Sequence, residues 1–438
     1  MRPHILAVAL LIGCGPGTWL GSYDDAITEL EASYAFTEHK ELDWAAIDAE
    51  IRPLVASAAE QGDPEALDQA VRLLVAAIPD NHVEASVRDC PHTEGGFGLV
   101  LSDTDDEGVI VARVLREGLD LVAGERVLAW NGVPIEEARL AAPTECLAEG
   151  IATLERRAFE QLRYLATGAP GDTATVTTAS GEHTLVAVGG DEAYEAFEAF
   201  EVEGVGGLHT VHHRLDDEVG VITISSVGGL RSLARMRRAM REFERAGVEA
   251  VVVDVRGNNG GSSVLCAELA GFFADERRVL EHEAFPDDDG VYRIEDTNTV
   301  VPEERAWTGP TAVLIDGFTV SSGEGVAMAA GWREDAVIVG FEGTAASFGF
   351  TGPSVSIGGR RVYYPGGQSW DADERIQLDS DATLQGGVVP EHRVPWTVEN
   401  RVAYAAGEDV VMREALELLS LLTAPGARTS PARRGSGR

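Results

Sequence analysis

Val251-Val-Val-Asp254-Val-Arg256-Gly-Asn258-Asn-Gly260-Gly261 is the stretch on which the fold turns. Val251 to Val255 is an apolar, β-branched run that reads as a buried strand. It runs directly into a loop carrying Arg, Asn and a glycine pair. The two glycines let the backbone turn sharply and bring bare N–H groups close to a ligand. Such a loop can polarise a carbonyl as part of an oxyanion hole, or it can be an ordinary strand-to-helix turn.

A second segment narrows that choice. Thr311-Ala-Val-Leu-Ile-Asp316 is another apolar strand, and it leads through Gly317-Phe-Thr-Val-Ser321-Ser322-Gly323-Glu324 into a helical run from Gly325. A serine between a strand and a helix N-terminus is placed for attack on a carbonyl, with backbone donors and the helix dipole beside it. Read alone, it is equally an N-cap.

Taken in this order, the two segments resemble the carboxyl-terminal processing protease family. There the first loop reads Asp-Leu-Arg-x-Asn-x-Gly-Gly, and the nucleophilic serine lies three residues before a glutamate. The resemblance implies Ser321 as nucleophile and an oxyanion hole from the amides of Ser322 and Gly260. It implies the α/β class: a crotonase/ClpP-like α/β catalytic core with an N-terminal helical segment and a PDZ-like β-rich domain.

A nucleophilic serine needs a base within reach. Many family members supply lysine from a Thr-Phe-Gly-Lys-Gly segment. The matching place here follows Val337-Ile-Val-Gly340, with Phe350 standing where lysine would be. The chain's only lysine, Lys40, lies far away in the N-terminal helical region. The other branch of the family, which resembles the tricorn core protease and the retinoid-binding repeat proteins, uses histidine at the end of an N-terminal helix. Ala66 to Pro79 has helical periodicity and is followed by Asp80-Asn81-His82-Val83. His82 is therefore the expected base, since imidazole titrates near neutrality. That branch supports its site with a glutamate, and Thr383-Leu-Gln385-Gly-Gly-Val-Val-Pro390 has none at the matching position. Gln385 is the expected third member, with Asp379 and Asp381 as nearby alternatives.

Composition bounds the rest. At 438 residues the chain holds two or three domains. A formal charge of −38 argues against nucleic-acid binding. No cofactor is expected. No Cys/His spacing suggests a metal site, and His209, His212 and His213 read as surface. Met1-Arg2 precedes the short apolar run Ile5 to Ile12 and then Gly13-Cys14, which resembles a lipoprotein signal with Cys14 lipidated. A plain signal peptide is the alternative. The expected setting is the bacterial cell envelope, with the membrane reached only through the lipid anchor. Cys90 and Cys146 could pair after export, and Cys266 reads as core.

The expected domains are a signal peptide at 1–14, a helical domain at 22–90, a PDZ-like domain at 93–190, a catalytic core at 208–424 and a disordered tail at 425–438. Tyr34, Phe36, Lys40, Asp43 and Trp44 match the N-terminal pattern of the histidine-using branch, with Trp44 a core anchor. Gly96-Phe97-Gly98-Leu99 resembles the ligand loop of a PDZ domain, which takes a peptide C-terminus by strand addition. The functional expectation is an exported serine endopeptidase acting on peptides or unfolded proteins. The alternatives are a peptide-binding pseudoenzyme of the same fold and a crotonase-like acyl-CoA enzyme.

Overall fold

The computed structural model describes residues 15–190, 195, 199–200, 210–216 and 218–423. Cys14, His209, most of the 191–205 connector and the 425–438 tail lie outside them.

The apolar runs build the central sheet. Its six strands lie in the order Val211–Asp216, Val219–Ile224, Ala250–Asp254, Thr311–Leu314, Ala336–Gly340 and His392–Arg393. The first pair is antiparallel and every later pairing is parallel. Both faces are covered, which is why strand Ala250–Asp254 is buried at all five positions. Val251 and Val253 face a core shared with helices Ser232–Ala246, Ser263–Ala270 and Ser322–Ala330. Ala250 and Val252 face the opposite core, closed by Val411, Ala415 and Leu419 of helix Val410–Thr423. The Ser232–Ala246 helix stops at Gly247, whose φ of 71° is the left-handed cap that glycine adopts without strain.

Helices Trp19–Ser33, Trp44–Gln61 and Pro64–Ala76 form the N-terminal unit, with Trp44 buried as expected. This unit has no separate core. Its apolar faces pack on Val355, Ile357, Val362 and Tyr364 of the hairpin Phe350–Ile357 and Arg360–Trp370. That hairpin belongs to a five-stranded antiparallel sheet with Glu84–Ser86, Arg278–Pro286 and Tyr292–Val300. The chain thus returns after residue 350 to bind its own first helices.

The middle unit is β-rich, as expected, with its own core around Leu99, Val111, Trp130, Val176 and Leu185. Its one long helix is Leu154–Leu165. A Cys90–Cys146 disulfide joins the chain after the helical unit to the segment before that helix. Cys266 is fully buried. No helix among the described residues is long and apolar enough to cross a membrane.

Candidate active site

Strand Thr311–Leu314 ends in a turn that delivers Ser321 to the N-terminus of helix Ser322–Ala330. Ser321 has φ 59° and ψ −134°. Positive φ is uncommon for a residue with a Cβ, and such strain persists only where surrounding contacts enforce it. Here they do. The Ser321 N–H donates to the Ser347 carbonyl (3.0 Å) and to the Glu324 carboxylate (3.1 Å). Glu324 is fully buried and also accepts from the amides of Ala346 (3.0 Å) and Ser347 (3.1 Å) and from the Thr344 hydroxyl. Burial pushes its carboxyl up to about 7, against the pull of these donors. The carboxylate therefore welds the nucleophile turn to residues 344–347.

The glycine loop lies over the nucleophile. A Cβ on Gly260 would stand 2.5 Å from Ser321 Cβ and 3.0 Å from its Oγ, so only glycine fits. The loop is held by Asn258, whose Nδ2 donates to the Ile224 carbonyl (2.7 Å) and whose Oδ1 accepts the Gly260 N–H (2.8 Å). The Gly260 amide, expected from the sequence as an oxyanion donor, is thus engaged by Asn258 in this structure. Arg256, also in the loop, is structural: it is 1% exposed and bidentate to both Asp254 and Asp409. Asp316 ties the two loops together by accepting from the Gly257 amide and the Thr319 hydroxyl.

His82 reaches this centre through its neighbours. Asn81 N–H donates to Ser347 Oγ (2.9 Å), and Ser347 is the residue whose carbonyl accepts from Ser321. Asp80, fully buried, accepts the His82 N–H on one oxygen (2.9 Å) and the Tyr34 hydroxyl on the other (2.7 Å). Gly150 closes the turn from behind: a Cβ there would lie 2.4 Å from the Asp80 carbonyl oxygen. The Asn81 amide also donates to Glu149. His82 keeps some exposure as a residue, but its Nδ1 is shielded and has no hydrogen-bond partner among the described residues. Loss of solvation holds the imidazole pKa below its ordinary value, the Lys40 charge adds to that, and Asp80 opposes it. No hydrogen bond joins His82 to Ser321 Oγ among the described residues. That is common before substrate binds, because catalytic contacts often tighten only in the complex.

Three sequence expectations change. Gln385 is exposed, its backbone closing a turn with Asp381. Asp381 binds the amide and hydroxyl of Thr383 in that same turn. Asp379 instead is 6% exposed and stands among the buried groups. Its Oδ1 accepts from the Phe348 (3.1 Å) and Gly349 (3.4 Å) amides, while Oδ2 has no partner among the described residues. Phe350 lies off the nucleophile and packs on Phe285, so the segment beside Ser321 is Thr344–Ser347. Lys40 is not remote: it is 3% exposed and bonds Ser380, the residue after Asp379. Asp379 was read from sequence only as an alternative to Gln385, and Glu324 was assigned no role although it stood in the motif that located Ser321.

Residues 218–385 match the profile of Peptidase family S41. The chain carries a peptidase family S41 domain. That span includes both the glycine loop and Ser321, so the segment matches a peptidase family as its motifs led us to expect. Mature CPAF complexed with lactacystin superposes with a TM-score of 0.63 at 13% identity, over 93% of this chain and 98% of that one. A CPAF mutant gives 0.64 at the same identity and coverage. At that identity the likeness speaks to the α/β fold alone. No curated protein sequence matches the chain.

The middle unit touches the turn that leads to Ser321. Arg156, on helix Leu154–Leu165, donates to the Gly317 carbonyl (3.0 Å) and stacks 3.7 Å above the Phe318 ring, in the turn leading to Ser321. The Gly96–Leu99 loop is less open than its sequence suggests. The Phe97 amide donates to the Ala166 carbonyl, the Gly98 carbonyl accepts from Leu115, and Phe97 and Leu99 are buried. Phe200 packs against Phe159, and with Leu99, Val100 and Leu101 the two line a small cavity. His213 pairs with Glu242 (3.1 Å), and the described residues contain no cluster able to hold a metal ion.

Proposed function

We propose that this chain is an exported serine endopeptidase, anchored through lipidated Cys14, that cleaves peptides or unfolded proteins by way of an acyl-enzyme. The observation that carries the reading is the bond chain Asn81–Ser347–Ser321, which brings the His82 turn to a serine held at positive φ. In this scheme His82 removes the Ser321 proton as Oγ attacks the peptide carbonyl. The Ser322 amide, at the start of the helix, and the glycine loop hold the oxyanion. For the loop to donate from Gly260, its N–H must leave Asn258 as substrate binds. The imidazolium then returns the proton to the leaving amine, and water repeats the sequence on the ester. In this scheme Asp379 takes the place expected for Gln385 as the third member that supports the base. The middle unit acts as a PDZ-like module, and Gly96 to Leu99 receive the peptide C-terminus.

Hydrolysis of a reduced, alkylated unfolded protein tests the activity. Wild type should cleave it, Ser321→Ala should not, and Ser322→Ala should retain most of the rate because only its backbone acts. Equal rates for wild type and Ser321→Ala would sink the assignment. A second reading, a peptide-binding pseudoenzyme, is favoured by the Gly260 amide being engaged by Asn258. It predicts saturable binding of a C-terminal peptide with no cleavage by any variant.

A further inference from the structure

Lys40 is the only lysine among the chain's 35 lysine and arginine residues, and it is 3% exposed. Everywhere else this sequence writes a cation as arginine, so a buried lysine calls for a local reason. A guanidinium is a wide planar fork, whereas an ammonium is a compact point charge with three donors. The space here suits the second. Nζ donates to the Ser380 carbonyl (2.9 Å) and hydroxyl (2.8 Å), and its remaining side faces the Phe36 ring at 5.7 Å.

The groups around it are those of the site. The buried Asp379 carboxyl feels the buried Asp80 carboxyl, the ammonium and, more weakly, Glu324. The His82 imidazole feels Lys40 as well as Asp80. Tyr34 bonds Asp80, and His39 Nε2 lies 3.3 Å from the Asp379 carbonyl oxygen. Neighbouring carboxylates removed from water are costly to keep charged without a cation. Lys40 is the lysine or arginine that the structure places among them, and it also fixes the residue that follows Asp379.

We propose that Lys40 is a positioning residue for the Ser321 centre: its ammonium locks the Ser380 turn and supplies the counter-charge that keeps the Asp379 carboxylate beside the His82 loop. The inference rests on the reading of Ser321 and His82 as nucleophile and base. It also fixes the sign of a pH effect. Burial raises the carboxyl of Asp379 well above its ordinary value and lowers the imidazole of His82, and on both groups the Lys40 charge pulls downward. Removing the charge raises both, so the acid limb of kcat/KM must move to higher pH.

The test is Lys40→Met, which keeps length and loses charge, compared with wild type, Asp379→Asn and the double variant on a peptide substrate from pH 5 to 9. The expected result is a fall in kcat of roughly 10-fold or more with KM within about threefold. The acid limb should move up by about half a unit or more, and Lys40→Met should add little in the Asp379→Asn background. A Lys40→Met enzyme with wild-type kcat and an unmoved acid limb overturns the proposal while leaving the peptidase reading intact. Full additivity of the two substitutions also overturns it. A wild type that cleaves nothing overturns both. If Lys40→Met does not fold, wild type labelled with 15N-lysine provides one side-chain resonance. That signal should shift when Ser321 is modified by a fluorophosphonate, and its indifference to the adduct would contradict the proposal.

Discussion

The nucleophile half of the site and the base half are built in different ways. Ser321 and the glycine loop sit at the ends of neighbouring parallel strands, each read continuously from strand through loop to helix. The base half is assembled from segments far apart in sequence: Tyr34 to Lys40, Asp80 to His82, Ser347 to Gly349, and Asp379 to Ser380. Hydrogen bonds between those segments, not a single element, place His82. A local motif can specify the first half. The second exists only when the N-terminal helices dock on the 350–370 hairpin.

Substitutions break the comparison in order of effect. Ser321→Ala should abolish hydrolysis, on the order of 10³-fold or more, with the melting temperature retained. Ser321→Gly should be equally inactive but more stable by about 1 kcal/mol, because glycine relieves the positive φ. Urea unfolding of the two variants checks that difference. On the other half, His82→Ala should cost on the order of 10³-fold, and Asp379→Asn on the order of 10²-fold. Gln385→Ala should leave kcat/KM nearly unchanged. A large loss at Gln385 with none at Asp379 would restore the assignment made from sequence.

That reassignment shows where the sequence was legible. The strands Ala250–Asp254 and Thr311–Leu314 were both readable, because an unbroken apolar, β-branched run is a local signal. So was Ser321, through its spacing to Glu324. Asp379 could be named only as one alternative among neighbours, because its burial depends on amides of Phe348 and Gly349, about thirty residues earlier in the chain. Lys40 was misplaced for the same reason: separation in sequence was taken for separation in space, and the 340-residue gap to Ser380 closes in the fold.

Glu324 and His82 should also titrate with opposite signs. The Glu324 carboxyl lies at about 7 in the folded chain, above its unfolded range. Between roughly pH 4.5 and 7 the native state therefore holds the extra proton, and this group's contribution to stability falls as pH rises. Glu149 and Glu281, each pushed up to about 7 by burial, act in the same direction. His82 is lowered, so below about pH 6.5 the unfolded chain binds a proton that the native state does not, and its contribution falls as pH falls. The smallest expected effect is thus a change of slope. Glu324→Gln should flatten the loss of stability from pH 5 to 7, and His82→Ala should steepen it, as read by melting temperature against pH.

The central claim is that the two halves meet at Ser321. Intact-mass spectrometry with peptide mapping after fluorophosphonate treatment tests it most directly. The account predicts one adduct per chain, located on Ser321, absent in Ser321→Ala and formed much more slowly in His82→Ala. An adduct on another residue, or equal labelling rates for His82→Ala and wild type, would contradict it.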